Sequence, residues 1–133
     1  MRGPLLLAAL ATTASVHAAA AACDLPTVGP TDLPIGAQGD MTVHVVTGIV
    51  GICDPATRTF EIDLPALHGI RTAAVQLSLA GFDRRYGVHQ IGFVLQSEKA
   101  TPTAKGVAVQ YGAAVDGLDR FQLAYTLYLD ATP

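Results

Sequence analysis

A small antiparallel β-sandwich is the fold this 133-residue chain predicts, and three observations point to it. Apolar residues recur at every second position in short segments, those segments are rich in β-branched and aromatic residues, and turn-forming residues separate them. No stretch repeats its apolar residues at helical spacing. The fold class is therefore all-β.

Six strands are expected, over 41–50, 58–64, 73–79, 88–96, 106–111 and 121–129. Phe60, Ile62 and Leu64 alternate with Glu61 and Asp63, which turns one face to a core and the other to water. Val75, Leu77 and Leu79 do the same against Gln76 and Ser78. Turns are expected at Asp54 and Pro55, at Gly81, Phe82 and Asp83, at Thr101 and Pro102, and at Asp116 and Gly117.

The first segment stands apart from this domain. Arg2 supplies a positive charge, residues 5–11 an apolar run, and Val16, His17 and Ala18 with the alanines that follow supply small residues for a peptidase. That is the layout of a secretory signal peptide over residues 1–22, cleaved between Ala19 and Cys23. The apolar run falls well short of the roughly 20 residues that span a bilayer. A competing site lies immediately before Cys23, where Ala20, Ala21 and Ala22 resemble a lipoprotein box that lacks its branched residue.

Residues 23–40 hold three prolines and three glycines, which exclude a helix and leave an extended arm. Along it Leu33, Ile35, Ala37, Gly39, Met41 and Val43 occupy every second position, so a straight strand would place them on one face. The sandwich domain is expected over 41–133.

Without Arg2 the chain carries seven basic residues against eleven acidic ones, scattered except for Arg84 and Arg85. Such a balance does not suit nucleic acid, whose phosphates call for clustered Lys and Arg. Two cysteines remain after the leader, Cys23 and Cys53. In an exported chain they are expected to form a disulfide, and closing that loop contributes roughly 3 kcal/mol.

Candidate chemistry is sparse, and the expectation is a non-enzymatic protein without metal or cofactor. Glu61 and Asp63 are close enough for a hydrolytic pair, yet they belong to the wet face of their strand. Asp116 and Asp119 offer two oxygens where calcium takes six or more. His44, His68 and His89 are widely spaced, and Ser78 and Ser97 lack a Gly-x-Ser-x-Gly setting. Tyr125 and Tyr128, three apart, face opposite sides of a strand, and Tyr86 and Tyr111 complete the tyrosines.

Read in order, Thr42-Val-His-Val-Val-Thr-Gly-Ile-Val-Gly-Ile-Cys53, Thr59-Phe-Glu-Ile-Asp-Leu-Pro65 and Val75-Gln-Leu-Ser-Leu-Ala-Gly-Phe-Asp83 resemble the first half of a chaperone–usher fimbrial subunit of type 1 pilin kind. Ala104-Lys-Gly-Val-Ala-Val-Gln110 is similar to that family's Gly-Val-x-(Val/Ile)-Gln strand. Phe121-Gln-Leu-Ala-Tyr-Thr-Leu-Tyr-Leu-Asp130 resembles its late Phe-x-Ala-x-Tyr strand, and also the Leu-x-Tyr-x-Leu-Tyr-x-Asp strand of spore-coat-U-like pilins. Phe82 stands where the family has its second cysteine, and the chain stops at Pro133, about where a pilin continues into a last strand.

The resemblance implies an immunoglobulin-like sandwich lacking one strand, completed first by a periplasmic chaperone and then by the arm of another fimbrial subunit. It implies passage through the periplasm to a fimbrium on the cell surface. The alternating residues Leu33, Ile35, Ala37, Gly39, Met41 and Val43 are the donor strand it would assign. The alternative is a free-standing secreted or periplasmic binding module.

Overall fold

The computed structural model describes residues 16–18 and 25–132. Among them are eight strands and no helix: β1 (Val16–Ala18), β2 (Val28–Gln38), β3 (Met41–Ile52), β4 (Thr59–Asp63), β5 (His68–Arg84), β6 (Gly92–Pro102), β7 (Gly106–Asp116) and β8 (Leu118–Thr132). They form two antiparallel sheets, ordered β1-β4-β7-β6 and β2-β3-β8-β5.

Strand β8 shows why the chain folds this way. Phe121, Leu123, Tyr125, Leu127, Leu129 and Ala131 are all buried, while the residues between them face outward. In register, Val46 of β3 and Val75 of β5 flank Leu127 on the same face. The other sheet answers with Phe60 and Ile62 of β4 opposite Val109 and Val107 of β7. Two apolar faces thus close on one core, and each outer face stays polar enough to meet water.

The all-β sandwich is the one the residue pattern predicts; its strand order departs from the immunoglobulin arrangement. Lettering β2 to β8 as A to G, that arrangement would be A-B-E-D against C-F-G. Here the sheets read A-B-G-D and C-F-E, so β6 and β8 have exchanged places. The long alternating β8 lies inside its sheet, between β3 and β5.

Several expectations need correction. Gly81, Phe82 and Asp83 do not turn the chain but continue β5, pairing with Gln122, Phe121 and Arg120 across irregularities in register. The Asp83 carboxylate receives a hydrogen bond from Arg120 across that pairing. Pro102 ends β6, and the turn comes after it, where Thr103 N donates to the Gly106 carbonyl at 2.9 Å. Strand β6 begins at Gly92 rather than at 88. The expected turn at Asp54 is present, with Thr57 N donating to its carbonyl and Ala56 N to its carboxylate, both at 2.9 Å. So is the one at Gly117, which has φ 72°.

The arm over 23–40 is the largest difference. Residues 28–38 form β2, folded back on β3 through Gly39 and Asp40, with Gln38 opposite Met41. Gly39 has φ 65°, which suits the first central position of a two-residue hairpin. Pro30 and Pro34 argue against a strand in the interior of a sheet, but β2 lies on an edge, where proline is tolerated. The opposite edge of that sheet is held differently: Leu77 N of β5 donates to the Glu98 carboxylate of β6 at 2.6 Å, tying the two sheets together.

Candidate functional site

The site with an unusual occupant is the outer edge of β4. Its five residues pair with β7 on one side and with β1 on the other, Val16 opposite Ile62, His17 opposite Glu61 and Ala18 opposite Phe60. Strand β1 thus lies within residues 1–22, the segment expected from the sequence to be a leader, and it pairs along a strand of the sandwich.

Local chemistry anchors β4 at both ends. Before it, Arg58 donates from Nη1 to the carbonyls of Pro55 at 2.6 Å and Thr57 at 2.8 Å, and from Nη2 to Ala113 of β7 at 3.2 Å. Its guanidinium stands 5.7 Å from the centre of the Tyr111 ring, whose hydroxyl donates to the Thr57 carbonyl at 2.6 Å. Burial pushes the Tyr111 hydroxyl above its ordinary pKa against the opposing pull of Arg58. After β4, Leu64 N donates to the Lys105 carbonyl at 2.8 Å. An edge held so firmly presents its main-chain groups in a preset geometry.

Beneath that edge lies an aromatic cluster. The Phe60 ring sits 6.3 Å from the rings of both Tyr111 and Tyr125. Tyr125 lies over Gly48, where a Cβ would land on its hydroxyl and within 2.5 Å of the Val28 carbonyl oxygen. Among the described residues its hydroxyl has no hydrogen-bond partner, and burial pushes its pKa up to about 12. A buried hydroxyl without a partner costs roughly 1–3 kcal/mol.

The residues singled out from the sequence are distributed as follows. Leu33, Ile35 and Ala37 are exposed on β2, whereas Met41 is buried and Val43 half-buried on β3, beyond the Gly39 bend. The alternation therefore runs around a hairpin, with a register shift between Pro34 and Gly36, and does not form one straight face. Cys53 follows β3 and is not a free thiol; Cys23 lies outside the described residues, as does most of the 1–22 segment. Glu61 and Asp63 occupy the outer side of β4, Tyr128 is 43% exposed on the outer face of β8, and Tyr125 is inside. Arg85 pairs with Asp119 at 3.5 Å on the surface. Among the described residues no group of three or more His, Cys, Asp or Glu is arranged to hold a metal.

Sequence reasoning passes over the pair formed by Asp32 and His44. His44 Nδ1 lies 2.8 and 3.0 Å from the two oxygens of the Asp32 carboxylate, and the imidazole is buried. A signal exists: His44 shares the inward face of β3 with Val46, Val50 and Ile52, and a histidine there needs a partner. Arg58 and Glu98 carry no such signal, since their partners are distant in sequence.

No family model, curated protein or solved structure matches the chain.

Proposed function

We propose that this chain is an exported, non-enzymatic pilin-like subunit that assembles into a surface fibre by strand addition at the β4 edge. The observation that carries the reading is the position of β1. Cleavage between Ala19 and Cys23 removes Val16–Ala18, and with them the pairing along that side of β4. A bare, rigid edge above a buried Phe60 and Ile62 is a template for another strand. Main-chain hydrogen bonds would complete the sheet while alternate side chains fill the space that β1 leaves.

In this reading a periplasmic chaperone supplies the first strand and a fimbrial subunit the lasting one. The donor is β2, whose Leu33, Ile35 and Ala37 face solvent; Met41 and Val43 remain with the core of their own subunit. A Cys23–Cys53 disulfide would tie the start of the processed chain to the segment between β3 and β4. Thiol labelling of unreduced protein checks that bond, and two reactive cysteines, or a lipid on Cys23, would refute it.

Assembly is tested by comparing processed protein with a form whose leader cleavage is blocked. The processed form is expected to make denaturant-resistant oligomers, alone or with co-expressed fimbrial subunits, and the uncleaved form to stay monomeric. A processed protein that remains monomeric in both settings sinks the pilin reading. The free-standing binding module then takes its place, a reading favoured by the exchange of β6 and β8 relative to the immunoglobulin order.

A further inference from the structure

We infer that the Asp32–His44 pair is a latch, and that β2 is a releasable strap rather than a permanent strand of its sheet. As a statement about the donor, this rests on the strand-addition reading; as a statement about β2, it stands alone.

Three features make the strap weak apart from the latch. Its side chains bury little: Val28 is 53%, Leu33 60% and Ile35 56% exposed, so β2 adds little apolar surface of its own to the core. Its ladder with β3 is broken by register shifts between Val28 and Thr31 and between Pro34 and Gly36. Pro30 and Pro34 have no N–H to contribute. Strand β5, on the other edge, differs in what it buries and in how it is held, with Val75 and Leu77 buried and Glu98 holding Leu77 N.

The latch is the exception. Among the described residues, the side-chain hydrogen bonds that reach β2 are the two between Asp32 and His44, at 2.8 and 3.0 Å. His44 is 7% exposed, and its neighbours in register are Pro34 on β2 and Leu129 on β8, neither of which has a side-chain acceptor. Asp32 is therefore the group that satisfies the buried imidazole. Lifting β2 strands that imidazole, which makes the docked state the resting one. Gly39 and Asp40 form the natural hinge, since the hairpin turn lies there and both residues are exposed.

Hydrogen–deuterium exchange on the purified full chain provides the test. Asp32→Ala is expected to raise exchange tenfold or more along β2 and at its partners in β3, with β5 and β8 unchanged, because hydrogen bonds to charged groups are among the stronger ones. Asp32→Asn, which can still accept from Nδ1, should fall between Ala and the native residue. Leu33 and Val45 are directly opposite, a spacing that permits a disulfide. Leu33→Cys with Val45→Cys, oxidised, should therefore suppress the added exchange in the Asp32→Ala background. Unchanged exchange in β2, or a rise of equal size through β8 and β5, overturns the latch. Loosened β2 without any assembly would leave the latch standing and the pilin reading refuted; assembly with unchanged β2 exchange would do the reverse.

Discussion

Leu127→Ala is expected to lower the stability of the sandwich by about 3–5 kcal/mol, the upper range for removing a buried leucine. Leu127 is fully buried at the middle of β8, between Val46 and Val75 in its own sheet. The surrounding strands are joined by ladders on both sides of β8 and have little freedom to collapse into the space. For a single domain with roughly 5–15 kcal/mol in total, the variant would be close to unfolding. Urea titration reads the effect as a lower midpoint at constant slope. Tyr128→Ala, one residue along and 43% exposed on the outer face, should cost under about 1 kcal/mol. Equal losses at the two positions would mean that the assignment of faces is wrong.

Gly106→Ala should be nearly as damaging, at about 3 kcal/mol, although it adds a single methyl group. A Cβ on Gly106 would collide with the Ile62 carbonyl oxygen and lie 2.8 Å from Leu64 N and 3.2 Å from Asp63 Cα. These are main-chain atoms of β4 and the residue after it, so relief requires β4 to move away from β7. Movement would disturb the Leu64 N to Lys105 bond and the very edge proposed to accept a strand. Gly87→Ala separates space from conformation, because Gly87 has φ 83° but open surroundings. It should cost about 1 kcal/mol from backbone strain alone. If Gly106→Ala proves no worse than Gly87→Ala, the close approach of β4 and β7 is not as described.

Much of the sandwich is legible in the residue pattern. The alternation of Phe60, Ile62 and Leu64 against Glu61 and Asp63 predicts both the strand and its faces, as do Val75 and Leu77 of β5. The opposite faces of Tyr125 and Tyr128 follow from the same period. Local turn chemistry misleads where cross-strand partners override it. Gly81, Phe82 and Asp83 resemble a turn until Gln122, Phe121 and Arg120 are opposite them. The prolines of residues 23–40 indicate a loose arm until β3 offers an edge.

The sequence by itself determined which segments extend and which side of each turns inward, because a period of two is a property of neighbouring residues. Only the tertiary structure decided which strands lie side by side. Inward faces made of Val, Leu and Ile are nearly interchangeable in chemistry, so alternation does not say that β8 rather than β6 belongs between β3 and β5. The candidate site belongs to the second category. Asp32 and His44 are twelve residues apart, Leu77 and Glu98 twenty-one, Arg58 and Ala113 fifty-five. Each pair exists because the strand order brings its members together, and β1 meets β4 for the same reason.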